Sequence, residues 1–354
     1  MPAEPVAMEW AGARAADDAA TFRVADPERA LAGVRLLQDL PIAADRLEFS
    51  PVSGGWQLIL DRPPVARLEY LLEPRYPGGD AKVVTDPANP RSVSGAFGPK
   101  SVLEFPGYAP PAWLSVPADP GTTASFHVPG PGRPISVRIW SPTGSADHEV
   151  LPLVVAHDGP ELDALASLTR YAGAGVAGHW LPPLRIALLS PGSRDSWYSA
   201  NARYARALRH AVLPAITERV AASAVIGMGA SLGGLAMLHA YCRYPDSFDA
   251  LFLQSASFFV PHLDGQERRF PYYRRIVTFT GRVQDGGLPA RLIPVGMTCG
   301  IAEENAANNR VMAQTLEASG YPVSLHEVAD AHNYTAWRDA FDPDLTDLVR
   351  QVSR

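Results

Sequence analysis

The feature that most constrains the fold is the regular alternation of two kinds of segment in the C-terminal part of the chain. Short apolar runs that are typical of buried β-strands alternate with longer segments that are typical of helices. The runs are ISVRIWSP, LPLVVAHDG, LRIALLSPG, SAVIGMG, ALFLQSAS, RLIPVGMTCG and PVSLHEVAD, and the clearest helical segments are ARYARALRHAVLPAI and EENAANNRVMAQTLEAS. This succession predicts an α/β domain with a mostly parallel sheet.

The residues upstream of this alternation have a different pattern. Short alternating segments, typical of antiparallel strands, occur in LEFSPVSGGWQLILD, ARLEYLLEP, AKVVTDP and KSVLEF. A proline-rich stretch, FPGYAPPAWLSVPADPGTT, follows them and is typical of an extended connector. We therefore predict a smaller antiparallel β-sandwich-like domain over residues 1–115 and an α/β domain over residues 116–354.

Two further expectations concern the beginning of the chain. The segment DPERALAGVRLLQDL has Asp26 in a helix-capping position and Pro27 in the first helical position, which predicts a helix. We expect roughly the first 20 residues to be flexible. This N-terminus has neither a basic start followed by an apolar stretch nor a cleavage-like site, so we expect a cytoplasmic protein.

Charge and cysteine content exclude several classes of partner. The net charge is −6 and the longest basic blocks are pairs of arginines, which argues against binding to nucleic acid or to an anionic membrane. Cys242 and Cys299 are too few for a disulfide framework or a zinc site. We therefore predict no metal and no cofactor, and the sequence leaves the oligomeric state open.

The run GASLG, residues 229–233, has two interpretations. Together with Gly227 it fits a loose dinucleotide-binding pattern, in which glycines bring the backbone close to a pyrophosphate. That pattern needs an acidic residue at the end of the next strand, but DALFLQSAS ends in polar uncharged residues. The run also fits the nucleophile elbow G-x-S-x-G, in which small neighbours allow a tight turn that exposes a serine. We therefore predict that Ser231 is a nucleophile.

An acid and a histidine follow this serine at the ends of later strands. Glu303 and Glu304 come after RLIPVGM, and His332 comes after PVSLHEV. A serine hydroxyl is a weak nucleophile, so an imidazole must accept its proton and a carboxylate must orient that imidazole. The order Ser, Glu, His is that of the α/β-hydrolase fold. Either glutamate could be the acid at this stage.

Three segments together resemble the enterochelin (iron-siderophore) esterase family of α/β-hydrolases. They are GASLGGLAMLHAYCRYPDSFDALFLQSASFF, CGIAEENAANNRVMAQTLEASG and HNYTAWRDAF. The resemblance runs from about residue 65 to 342, because DPANPRSV, SVLEFPGYAPPAWL and HDGPE also look like parts of that family. In two places the chain departs from it: Asp330 and Ala331 stand where family members often carry glycines, and Asn333 stands where an Asp is common.

The resemblance implies a reaction and its residues. It implies cleavage of the ester bonds of a siderophore inside the cell, with Ser231 as nucleophile, Glu303 as orienting acid and His332 as base. It also implies substrate contacts for three further side chains, which are Arg194, Trp337 and Arg338. For Trp337, packing against the His332 loop is an equal alternative. The expected partner is accordingly a small-molecule ester, such as a ferric siderophore.

Two backbone amides are expected to form the oxyanion hole. The amide of Leu232, directly after the nucleophile, is the first expected donor. The second should come from AHDGPE, where Pro160 has no N–H. Gly159, Asp158 and Glu161 remain, and we predict Gly159.

Other functions stay open on the sequence alone. The same residues suit a feruloyl or carbohydrate acetyl esterase, or an acyltransferase. A non-catalytic binding protein with a hydrolase fold is the alternative from a different class, but such a protein is expected to have lost a member of the triad.

Overall fold

The computed structural model describes residues 11–353, which divide into two compact units. The first unit contains the chain up to residue 109 together with two short later segments, residues 301–303 and 329–333. The second unit contains residues 110–300, 304–328 and the chain from residue 334 onward. The two later segments of the first unit contain Glu303 and His332, so these two residues belong to the same unit.

From residue 11 onward, the first unit contains two antiparallel sheets of four strands each. Its strands are β1 (Gly12–Ala15), β2 (Ala19–Ala25), β3 (Gly33–Gln38), β4 (Ser50–Val52), β5 (Gly55–Asp61), β6 (Arg67–Arg75), β7 (Ser92–Gly95) and β8 (Gly98–Glu104). Their order is β1-β2-β5-β4 in one sheet and β3-β6-β8-β7 in the other. Side chains of both sheets, among them Phe22, Leu36, Leu60 and Tyr70, form one buried core. The predicted antiparallel β-domain is confirmed.

The predicted helix at Asp26 is wrong. Both carboxylate oxygens of Asp26 accept backbone hydrogen bonds, from the amides of Ala30 (2.8 Å) and Leu31 (3.1 Å), and this closes a turn. The chain then enters strand β3, where Val34 and Leu36 are fully buried. Burial of every second residue is the pattern of a β-strand. Packing in the sheet therefore overrides the helix-capping signal at Asp26.

Two other local expectations also differ from the structure. AKVVTDP forms no strand and makes only isolated bridges, from Ala81 to Arg75 and from Val84 to Leu72. The expectation of a flexible start falls in part on residues 1–10, which lie outside the described residues. The rest of it is wrong, because β1 and the beginning of β2 pair in a regular antiparallel register.

The second unit contains a single sheet of eight strands. They are β9 (Thr122–Val128), β10 (Ile135–Ser141), β11 (Leu151–Ala156), β12 (Arg185–Leu189), β13 (Ala222–Ala230), β14 (Ala250–Gln254), β15 (Val295–Gly300) and β16 (Val323–Val328). The strand order is β16-β15-β14-β13-β11-β12-β10-β9. The six neighbouring strands β16, β15, β14, β13, β11 and β12 are parallel to one another. Strand β10 is antiparallel to both of its neighbours, β12 and β9. The predicted α/β-hydrolase type of fold is confirmed.

Helices cover both faces of this sheet. They are α1 (Gly159–Ala166), α2 (Leu168–Ala177), α3 (Arg194–Tyr198), α4 (Ala202–Ala207), α5 (Leu213–Thr217), α6 (Leu232–Arg243), α7 (Tyr273–Gln284), α8 (Ala306–Ala318), α9 (Tyr334–Asp339) and α10 (Thr346–Val352). Two separate apolar cores pack against opposite sides of the central strands, as expected for parallel strands. Within residues 11–353, none of these helices combines the length and the apolar character that a membrane span requires.

The candidate site residues come directly after the carboxyl ends of parallel strands. Gly159 follows β11, Ser231 follows β13, Glu303 follows β15 and His332 follows β16, each within four residues of the strand. Ligand sites of open parallel sheets form at this edge.

Candidate active site

Ser231 is the single residue that joins β13 to α6. Its backbone has φ +55° and ψ −126°, a region that residues other than glycine rarely occupy. Three backbone hydrogen bonds hold it there: its amide donates to the Gln254 carbonyl (2.9 Å), and its carbonyl accepts from the amides of Ser257 (3.1 Å) and Leu235 (3.2 Å). A strained residue fixed by its surroundings in this way is a mark of functional sites.

Glycines next to Ser231 allow this tight turn. A Cβ atom at Gly229 would lie 2.4 Å from the carbonyl carbon of Gly233, a distance that no side chain tolerates. A Cβ atom at Gly233 would lie 3.2 Å from the Cβ of His157. The strand, the strained serine and the helix that follows at once together form the geometry of a nucleophile elbow.

The Ser231 hydroxyl is half-buried and close to a second hydroxyl. Its Oγ lies 3.3 Å from the Oγ of Ser257, which is itself buried. The sequence analysis did not single out Ser257, because no short motif connects a serine to a neighbour 26 positions away. Ser257 is therefore the natural comparison for any test of Ser231.

Glu303 and His332 are in direct contact. Glu303 Oε2 is hydrogen-bonded to His332 Nδ1, and the Glu303 side chain is almost completely buried while that of His332 is about one third exposed. A carboxylate only accepts hydrogen bonds, so Nδ1 carries the proton and Nε2 is the basic nitrogen of the ring. The adjacent acid differs, because Glu304 is exposed and accepts from Gln266 Nε2 at 3.4 Å.

The loop that carries His332 is held by a buried ion pair within the first unit. Arg67 on β6 contacts Glu69 (2.9 Å), Asp330 (3.3 Å) and the side-chain oxygen of Asn333 (3.2 Å). Burial disfavours the charged guanidinium, but the two carboxylates outweigh it and raise the pKa of Arg67. Asp330 also accepts from the side chain of Asn333 (2.8 Å). His332 thus lies between two residues that Arg67 fixes, and these are the positions where the chain departs from the family pattern.

We expect Arg67→Leu to lower the free energy of unfolding by about 3–5 kcal/mol, because it leaves Glu69 and Asp330 buried without a cation. Urea denaturation measures this loss. A matched control is Arg35→Leu on β3, which removes a partly exposed pair with Glu73 (3.1 Å) and should cost about 1 kcal/mol or less. Equal small losses in both variants would contradict the importance of the buried pair.

The expected oxyanion donors are both first residues of helices. Leu232 begins α6 and Gly159 begins α1, and the first amides of a helix have no partner within it. The Asp158 amide already donates to the Tyr198 hydroxyl (3.3 Å). At Gly159 a Cβ atom would lie 2.4 Å from the Leu188 Cα, so only glycine fits.

Arg194 makes an ion pair with the residue before Gly159. Its Nε lies 3.0 and 2.9 Å from the two carboxylate oxygens of Asp158, and a second nitrogen lies 2.9 Å from one of them. Burial raises the pKa of Asp158, and Arg194 opposes that shift. Because Asp158 adopts a left-handed backbone conformation at the start of α1, the pair fixes the turn that presents Gly159. The sequence analysis did not foresee this ion pair, and the substrate contact that it predicted for Arg194 stays a prediction.

Trp337 and Arg338, the other predicted substrate contacts, both have protein partners. Trp337 is buried, and its indole N–H donates to the Ser255 hydroxyl at 3.0 Å. Its carbonyl accepts from Gln254 Nε2 at 2.9 Å, which ties α9 to the end of β14. Arg338 pairs with the adjacent Asp339 at 2.7 Å. Contact of either residue with substrate stays a prediction.

The fold and the elbow define a protein of the α/β-hydrolase type. The family model Esterase matches residues 129–348, and the chain belongs to this family. It is a carboxylic ester hydrolase.

Curated relatives of the chain include two iron(III) enterobactin esterases. The one from Escherichia coli O6:H1 is 28% identical over 290 residues, and the one from Escherichia coli K12 is 27% identical over 295 residues. Each alignment covers 75% of this chain and 68% of the relative.

Solved structures share the fold. The enterobactin esterase of Shigella flexneri, determined in the presence of enterobactin, superposes with a TM-score of 0.75 at 20% identity and covers 96% of this chain and 95% of its own. That of Salmonella typhimurium has a TM-score of 0.76 and covers 95% of both chains. A ferulic acid esterase has a TM-score of 0.55 at 15% identity, and it covers 66% of this chain and 98% of its own.

Proposed function

We propose that the protein hydrolyses ester bonds of a siderophore through a Ser231, His332 and Glu303 triad. The observation that carries the chemistry is the Glu303–His332 hydrogen bond, combined with the strained elbow at Ser231. A nucleophile on a tight turn and a histidine with a buried carboxylate are the parts that acyl transfer needs.

The proposed reaction has two halves. In the first, Ser231 Oγ attacks the ester carbonyl while His332 Nε2 accepts its proton, and Glu303 stabilises the imidazolium that forms. Backbone amides of Leu232 and Gly159 donate to the oxyanion. When the tetrahedral intermediate collapses, the alcohol leaves with the proton from His332. In the second half, water takes the place of the serine hydroxyl and releases the acid, which restores Ser231.

The substrate class rests on the relatives. The enterobactin esterases match nearly the whole chain in fold, including the first unit, whereas the ferulic acid esterase matches only two thirds of it. A bulky catecholate ester is therefore the proposed substrate, and a feruloyl ester is the second candidate. The cytoplasmic location stays a prediction.

A substrate comparison tests this proposal. Purified protein is assayed with ferric and iron-free enterobactin, with methyl ferulate and with p-nitrophenyl acetate, and kcat/KM is determined for each. We expect enterobactin to be preferred over the other esters by at least about 100-fold, because binding energy from the parts of the substrate away from the ester is used in the transition state. A preference for methyl ferulate would favour the second candidate, and equal rates on all esters would contradict a siderophore-specific site.

A further inference from the structure

Helices α6 and α7 of the second unit line a cavity that includes none of the candidate catalytic residues. Its volume is about 720 Å³, and among the described residues its wall contains four arginines, Arg243, Arg274, Arg275 and Arg282, but no aspartate or glutamate. A cavity of this size is within the range of small-ligand sites. Its wall is strongly cationic although the whole chain has a net charge of −6.

The helical spacing directs these cations to common faces. Arg274 and Arg282 are two turns apart on α7 with Thr278 between them, and Arg243 is one turn after His239 on α6. Arg275 is anchored, because its guanidinium donates to the carbonyls of Ser196 and Ser199 and lies over the Tyr272 ring.

The other three arginines, Arg243, Arg274 and Arg282, are exposed residues at the wall of the cavity. Over the described part of the chain, Arg243, Arg274 and Arg282 have no carboxylate partner. Arg67, Arg194 and Arg291, by contrast, each pair with an acid. At these exposed positions the repulsion between the three charges is screened by solvent, and the three cations remain available to an anion that enters the cavity.

His239 gives an independent indication of a ligand. Its side chain is only 7% exposed, lines the same cavity and makes no hydrogen bond within residues 11–353. The edge of its ring is fixed against Phe279, at 5.0 Å between centroids and an interplanar angle of 89°. Burial, together with Arg243, Arg275 and Arg282, lowers the pKa of His239 to about 3. The ring is therefore neutral at pH 7, with one N–H to donate.

We propose that this cavity is a binding site for a small anion with more than one phosphate group. The guanidinium fork matches the oxygen geometry of phosphate, and several arginines suit a multiply charged ligand better than a single carboxylate. The space exceeds what one inorganic phosphate fills, so pyrophosphate or a phosphorylated organic molecule is the fitting class. This site is independent of the proposed esterase reaction.

Isothermal titration calorimetry with pyrophosphate, at constant ionic strength, tests the site. We expect saturable one-to-one binding that is at least about tenfold tighter than binding of inorganic phosphate. Arg274→Gln/Arg282→Gln should weaken it at least about tenfold, and His239→Phe about fivefold, because each removes a charged or buried donor. The control Arg133→Gln removes one positive charge, as Arg282→Gln alone does, from an exposed loop outside the cavity and should change affinity less than about twofold.

Several results would overturn the proposal. They are the absence of saturable binding at millimolar pyrophosphate, an equal loss in Arg133→Gln, and binding of heparin without binding of pyrophosphate, which would indicate a macromolecular polyanion. Thermal melts establish that each variant is folded. If the double variant does not fold, the exposed single variant Arg282→Gln serves in its place.

Discussion

Ser231→Ala is expected to lower turnover of the preferred ester at least about 10³-fold, because loss of a triad member removes the covalent route and leaves only binding and the oxyanion hole. A fluorophosphonate probe should label the unaltered protein at one residue and should not label the variant. The elbow provides the physical reason: Ser231 alone joins β13 to α6 in a strained conformation that presents its hydroxyl. Mass spectrometry of the labelled protein and steady-state kinetics measure the two effects.

Ser257→Ala is the matched control for this experiment. It removes a hydroxyl 3.3 Å from that of Ser231 but keeps the backbone amide that holds the Ser231 carbonyl. We expect it to retain labelling and to lose less than about tenfold in turnover, the scale of one hydrogen bond. Labelling that persists in Ser231→Ala and disappears in Ser257→Ala would identify Ser257, and not Ser231, as the nucleophile.

The sequence predicted the parts of the fold that depend on local pattern. Each apolar run of the α/β region forms a strand, because burial on both faces of a parallel sheet demands continuous apolar residues. The elbow was also predictable, because the five-residue motif G-x-S-x-G contains the two glycines, Gly229 and Gly233, that the tight turn requires. The segment after Asp26 was not predictable in this way, because its capping residue favours a helix, its apolar period favours a strand, and tertiary packing decides between them.

The supports of the candidate site were not predictable in the same way. Arg67 and Asp330 are 263 positions apart, and no periodicity relates them. The resemblance predicted a substrate contact for Arg194, but its pairing with Asp158 depends on how α3 and the turn before α1 pack together. Ion pairs of this kind result from the three-dimensional fold, so a single sequence contains the residues but not their pairing.

The second prediction concerns the two adjacent acids, Glu303 and Glu304. Because only Glu303 is hydrogen-bonded to His332 in the structure, we expect substitutions at the two positions to have very different effects on turnover. Glu303→Gln should lower turnover by about 10⁴-fold, because an amide that donates to Nδ1 traps the ring with its proton on Nε2, where it cannot accept one from serine. Glu304→Gln, which changes an exposed side chain of the same size and charge, should stay within about threefold of the unaltered protein. Kinetics of both variants, with fluorophosphonate labelling rates as a second readout, give the comparison. Equal losses in the two variants, or none in Glu303→Gln, would remove Glu303 from the triad. The contact between Glu303 Oε2 and His332 Nδ1 would then serve only to hold the histidine loop in place.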